Sequence, residues 1–293
     1  MPENLVSQSR SFLARTLLSS LYYSTLLLVF ITSIHAQTRV AIIDFVGDDT
    51  GELTNQFRSS LQQSKSSELT IIDERAVRLA LKGSGYQGVL NLSREEARAL
   101  GLSLGSDFYV LGLMRVIRRI ISADNYYFDV ISGLFLVESR SGKLLQFRFA
   151  HERANDEPTA RRILMQRMSQ EGRLAPPVFS EAAHIIENRI SDDMIDLSND
   201  ETTKLKLVQP LFYQHLKPAY PFQAELLGLT ATIELDVVFR ADGRVGEIEV
   251  IRWGGFGLDE SAIATAQQLR FKPAELNGRT ITVRGRVRYN FRK

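Results

Sequence analysis

Thr230-Ala-Thr-Ile-Glu-Leu-Asp-Val-Val-Phe-Arg240 is followed at once by Ala241-Asp-Gly-Arg244 and then by the run from Val245 to Trp253. In the first stretch Ala231, Ile233, Leu235, Val237 and Phe239 fall on one face of an extended chain, and Thr232, Glu234, Asp236 and Arg240 on the other. Period-two alternation of that length is the pattern of a strand that buries one face. Asp242-Gly243 between two such runs predicts a tight hairpin, because glycine accepts the positive φ these turns require. The returning strand carries Ile248 and Val250 inward, Glu247 and Glu249 outward.

Downstream, Gly254-Gly-Phe-Gly-Leu-Asp259 reads as a loop ending in a good helix-capping residue. Ala262, Ile263, Ala266 and Leu269 then recur at helical spacing, and Pro273 ends the helical region. Asn277-Gly278 turns the chain into a last strand, Thr282 to Arg292, in which Val283, Gly285, Val287, Tyr289 and Phe291 alternate with arginines. The order strand, hairpin, strand, helix, strand predicts a three-stranded antiparallel sheet with the first strand in the middle and the last at an edge. An edge strand presents unpaired N–H and C=O groups, the requirement for taking up an extended peptide by β-augmentation. The candidate partner-binding residues are therefore Val283, Arg284, Gly285, Arg286, Val287, Arg288, Tyr289 and Phe291.

The arginine ladder has two readings. Arg284, Arg286 and Arg288 hold an acidic peptide, a lipid headgroup or a wall polymer, or they face Glu234 and Asp236 on the adjacent strand in cross-strand pairs. Opposite charges on the matching face favour the second. The capture idea rests on the edge backbone, not on these side chains.

Tyr220-Pro221, Ala224, Gly228, the strand to Phe239, Asp242-Gly-Arg-Val245, Leu258-Asp259, Ala262, Ala266, Phe271-Lys-Pro-Ala274 and Asn277-Gly278 together resemble the TonB carboxy-terminal domain family. The family often has Trp where this chain has Leu269, and a second Gly where it has Ala231. The resemblance implies a non-catalytic protein-binding domain of the periplasm, with an outer-membrane transporter or a secretion or assembly component as partner. An energy-transducing TonB also has a long proline-rich spacer, whereas the 8 prolines here are scattered.

A chain of 293 residues with 44% hydrophobic and 24% charged residues suits two ordinary globular domains. A net charge of +2 argues against a dominant nucleic-acid field. The absence of cysteine excludes disulfides, thiolate metal sites, a cysteine nucleophile and a lipidated cysteine.

Arg10 and Arg15 precede the apolar stretch Leu17 to Ile34, and Ser33-Ile-His-Ala36 resembles a cleavage site before Gln37. Residues 1–36 read as a cleaved secretory signal or as a membrane anchor, since about 20 apolar residues cross a bilayer. Either places the rest of the chain outside the cytoplasm, and the TonB resemblance implies that this is a bacterial envelope.

Residues 38–192 read as a mixed α/β domain. Strands are expected at Arg39 to Phe45 and Leu69 to Asp73, with helices around Leu53, Phe57 and Leu61 and from Arg75 to Leu81. Ser93-Arg-Glu-Glu96 is a capping box opening a third helix. Strands Asp107 to Val116, Tyr126 to Glu138 and Leu144 to Phe149 follow, then helices near 158–170 and 177–192, the second with a stripe of Phe179, Ala182, Ala183, Ile186 and Ile190. Alternation followed by a meander implies a two- or three-layer mixed fold. Residues 193–208, acidic and then polar, read as a linker reaching about 50 Å when stretched, ahead of a small domain over 209–293. Val40-Ala-Ile-Ile-Asp-Phe45, Leu69-Thr-Ile-Ile-Asp-Glu-Arg75, the run Ala99 to Gly112 and the Ser141-Gly-Lys143 turn are similar to envelope domains of the CsgG (curli secretion) and TolB amino-terminal type. That resemblance implies an envelope setting and an oligomeric assembly subunit as the alternative role.

No enzymatic, cofactor or metal site is expected. Gly83-Ser-Gly-Tyr-Gln-Gly88 matches G-x-G-x-x-G but follows a helix rather than a strand. Gly101-Leu-Ser-Leu-Gly105 matches G-x-S-x-G with its helix and strand in reverse order. Asp44, Asp48 and Asp49 sit around a turn that reads as solvated, with helix-capping acids rather than a cation site. His35, His151, His184 and His215 show no zinc spacing.

Overall fold

A computed structural model of the protein describes residues 37–64, 69–186 and 207–292. The expected leader or anchor, most of the expected linker, Ile190 and the side chains of His184 and Ile186 lie outside the described residues. Among those described, no helix is long and apolar enough to cross a membrane.

The first lobe is built on five strands, β1 (Thr38–Ile42), β2 (Leu69–Ile71), β3 (Phe108–Ser122), β4 (Asn125–Glu138) and β5 (Leu144–Ala154). Their order is β2-β1-β3-β4-β5, with β1 parallel to both neighbours and the β3–β4–β5 meander antiparallel. Helices α1 (Glu52–Gln63), α2 (Glu74–Ser84), α3 (Arg94–Leu104), α4 (Glu157–Leu174) and α5 (Pro176–Ile186) cover both faces, giving three layers. Phe57, Leu61, Leu164, Met168 and Phe179 pack on the Val40, Ile42, Val110 and Leu134 face. Val77, Ala97, Leu100 and Leu104 pack on the Ala41, Ile43, Tyr109, Phe135 and Val137 face. A central strand buried on both faces needs apolar residues in succession, which is why Leu134-Phe-Leu-Val137 does not alternate.

The capping box forms as the sequence predicts: the Ser93 hydroxyl accepts from the Glu96 amide at 3.2 Å, and Glu96 accepts from the Ser93 amide at 2.7 Å. The cap position of α1 is held by Gly51, and Asp48, expected in a solvated turn, is buried, its Oδ2 accepting from the amide and hydroxyl of Thr54, while Asp44 pairs with Arg78. Gly85 and Gly105 are left-handed C-caps, so both glycine motifs end helices. β3 runs past the expected Val116 to Ser122, and β3 and β4 leave the body as an arm exposing Ile120 and Ile121 by 70% and 66%. Burial ends at Met114, and cross-strand pairing with β4 carries the ladder on to Ser122.

The second lobe contains β6 (Leu207–Val208), β7 (Leu211–Phe212), α6 (Phe222–Leu227), β8 (Ala231–Phe239), β9 (Val245–Arg252), α7 (Leu258–Ala266), β10 (Phe271–Lys272), β11 (Ala274–Leu276), β12 (Arg279–Ile281) and β13 (Val283–Phe291). Its main sheet is antiparallel in the order β13-β8-β9, with α7 against it. Gly243, at φ 82°, makes the expected turn between β8 and β9. Being central, β8 also buries Glu234 and Val238 on the face expected to be open. Asn277-Gly278 closes a small β11–β12 hairpin that joins β6 rather than leading straight into the last strand. Asp259 is the second residue of α7 and not its cap; that place belongs to Gly257, at φ 79°.

Candidate protein-binding edge

β13 pairs with β8 through nine consecutive residue pairs, Val283↔Phe239 to Phe291↔Ala231, without a register shift. Unbroken register follows from regular alternation on both strands, since a slip by one residue would turn every apolar side chain outward. Val283, Gly285, Tyr289 and Phe291 face the core and Val287 is half-buried beside them. Among the described residues the buried Tyr289 hydroxyl has no hydrogen-bond partner, and burial pushes its pKa up.

The other face of β13 carries Arg284, Arg286, Arg288 and Asn290. Arg288 meets Glu234 at 2.6 Å and Arg284 meets Asp236 at 3.6 Å, while the Thr232 hydroxyl donates to Asn290 Oδ1 at 2.8 Å. The cross-strand reading of the ladder therefore holds for two of the three arginines. Arg286 is exposed and forms no hydrogen bond or ion pair among the described residues.

Among those residues β13 has β8 as its sole strand neighbour. The opposite edge of the sheet is different, because the segment before α3 lies along the end of β9. The Trp253 amide donates to the Leu92 carbonyl at 3.2 Å, and Ser93 bridges Arg252 in antiparallel fashion. Asn91 Nδ2 donates to the carbonyls of Thr232 and Trp253, at 3.0 and 2.7 Å, and its Oδ1 accepts from the Thr232 amide at 3.1 Å. One carboxamide thus stands in for a peptide group where β8 and β9 part. Arg252 adds bonds to the Asn91 carbonyl and to Glu96, and Arg94 pairs with Glu249.

An aromatic joint fixes this arrangement. Phe256 lies 4.8 Å from Phe147 and 6.0 Å from Phe135, and Trp253 lies 5.3 Å from Phe135, ring centre to ring centre. Gly133 and Gly255 leave room for it: a Cβ on either would come within 2.8 Å of an aromatic ring. The Phe256 loop is tied by Asp259, whose carboxylate accepts from the amides of Gly254 and Gly255 at 2.9 and 2.8 Å. Burial pushes that carboxyl up to about 6, against the pull of the two amides. At the base of the arm Arg119 donates to Asp129 and to the Leu226 carbonyl, and His151 also meets Asp129. Burial alone would raise the Asp129 carboxyl, but His151 and Arg119 outweigh it and hold the group below its ordinary range.

Sequence reasoning located the strand and its edge position but missed the meeting of Asn91 with Thr232 and Trp253, across 141 and 162 residues of chain, and of Leu92 with Trp253. The only local sign was the capping box that places Ser93 at a helix start.

Residues 217–292 match the family model described as Gram-negative bacterial TonB protein C-terminal. The match takes in the stretch from Tyr220 to Gly278 that carries the resemblance. Among solved structures, the chain is similar to the TonB CTD of Pseudomonas aeruginosa, with 17% identity, 35% of this chain and 96% of that chain covered, and a TM-score of 0.27. It is also similar to lipoprotein GNA1162 from Neisseria meningitidis, with 15% identity, 50% and 99% covered, and a TM-score of 0.31. The LpoB C-terminal domain from Escherichia coli gives 12% identity, 41% and 85% covered, and a TM-score of 0.28. No curated protein matches the sequence.

Proposed function

We propose that this chain is a non-catalytic protein of the Gram-negative cell envelope that captures an extended segment of another protein on the outer edge of β13. What carries the reading is the asymmetry of the small sheet. Its β9 edge is closed at one end by the chain's own Asn91–Ser93, whereas β13 has a strand neighbour on one side only among the described residues. A strand added there gains backbone hydrogen bonds without displacing any described strand. The family match over residues 217–292 supports the periplasmic setting. It also supports a partner at the outer membrane, a transporter or a secretion component.

A second reading, in which a CsgG/TolB-like first domain serves as an assembly subunit, is favoured by the β3–β4 arm. Ile120, Ile121 and Tyr126 are exposed there, and clustered apolar exposure marks contact surfaces. Photo-crosslinking residues at Asn290 and, separately, at Ile120 divide the two. Capture expects adducts at position 290 that map to one extended segment of an outer-membrane or secretion protein. Adducts at position 120 alone, and only with other copies of the chain, would overturn capture in favour of assembly.

A further inference from the structure

The geometry points to Arg286 as a specificity-determining residue that selects partner strands bearing a carboxylate directly across from it; this rests on the reading of β13 as a capturing edge. Arg284, Arg286 and Arg288 occupy alternate positions on one face of β13, and β8 places only Glu234 and Asp236 opposite them. Register sets Arg288 across from Glu234 and Arg286 across from Asp236. Arg288 takes its direct neighbour, but the Asp236 carboxylate lies 3.6 Å from Arg284, its diagonal neighbour. Three guanidinium groups above two carboxylates leave the middle one exposed and, among the described residues, unpaired.

A strand added outside β13 repeats the spacing that β8 has on the inside. It puts one side chain directly across from Arg286, with Cβ atoms about 5 Å apart. Positions across from Arg284 and Arg288 look onto cations that already have a counter-ion, so neutral residues suit them. The position across from Arg286 looks onto an uncompensated charge and favours Glu or Asp over a neutral residue, and a neutral residue over Lys or Arg. Because that pair is exposed, its effect lies in choice of partner and register more than in affinity.

The test uses the full chain and three labelled, end-capped peptides, Ser-Thr-Val-Thr-X-Thr-Val-Thr-Ser with X as Glu, Gln or Lys, followed by fluorescence anisotropy at low salt. The Glu peptide should bind roughly two- to five-fold more tightly than the Gln peptide, as one cross-strand charge pair allows. The Lys peptide should bind most weakly. Arg286→Gln should level the series and Arg286→Glu should reverse it, with circular dichroism showing both variants folded. Equal binding of the Glu and Gln peptides, or an order unchanged in Arg286→Glu, overturns the inference while capture stands. Failure of all three peptides to bind, with no adduct at position 290, overturns capture itself and the inference with it.

Discussion

Arg288 and Glu234 stand directly across from each other on β13 and β8 and are joined at 2.6 Å, with the Arg288 side chain 60% exposed and that of Glu234 only 9%. The asymmetry makes Arg288 the cover of a carboxylate in the sheet's middle strand. Removing the cover leaves a largely buried charge without its nearest cation. Arg288→Ala should therefore destabilise the chain by about 1 kcal/mol, the upper part of the range for cross-strand charge pairs. Glu234→Gln in the Arg288→Ala background should recover part of the loss. A double-mutant cycle in urea reads the coupling directly.

Asn91 holds the two lobes together through polar contacts alone. Asn91→Leu keeps the bulk of the side chain but leaves the Thr232 amide and the Thr232 and Trp253 carbonyls without this partner. Loss of satisfied, partly buried backbone groups costs about 1–3 kcal/mol. Asn91→Asp should be worse, since a carboxylate oxygen would then face two carbonyl oxygens. Urea unfolding should show both losses, and amide exchange at Thr232 and Trp253 should quicken.

Phe256 makes the apolar half of the same joint. It is 1% exposed among Phe135, Phe147 and Phe149, with a backbone φ of 52° that a side chain rarely adopts. Packing holds it there. Phe256→Ala should cost about 3–5 kcal/mol, as for other buried phenylalanines. Gly255→Ala should also destabilise, because its Cβ would meet Phe135 and Phe147 at 2.8 Å and its φ is 67°. Limited proteolysis should cut both variants within the loop from Gly254 to Leu258 sooner than the parent chain.

How much of this was legible in the sequence follows from distance along the chain. The Asp242-Gly243 turn and the alternation from Ala231 to Phe239 are local, and so both were readable. The edge position of β13 was readable one step further on, because the chain leaves β9 through α7 and comes back to pair with β8; the short strands β10 to β12 on that return were not readable. Pairing of Arg284 and Arg288 with Asp236 and Glu234 followed from charge on matching faces. The idle Arg286 did not, since which neighbour a carboxylate chooses depends on side-chain geometry. The closure of β9 by Asn91 leaves no periodic trace, because a single side chain does the work of a strand. Asp259 was misplaced for a related reason: its composition suits a helix cap, but buried amides at Gly254 and Gly255 draw it one turn backward.

Asp259 also gives the fold a definite dependence on pH. Burial lifts its carboxyl in the folded chain from an ordinary 3.8 to about 6. The folded form therefore holds a proton over a range in which the unfolded chain has released it. The stabilisation from this group is fully present below about pH 4 and is lost as pH rises through about 6. A shift of that size corresponds to up to roughly 3 kcal/mol between the two limits. Asp259→Asn removes the titration and keeps one acceptor, but turns an amide donor toward one of the two glycine amides, so it should be less stable than the parent throughout. Urea midpoints measured from pH 4.5 to 7.5 should fall with rising pH in the parent more steeply than in Asp259→Asn. Parallel pH profiles would show that the carboxyl titrates outside this window.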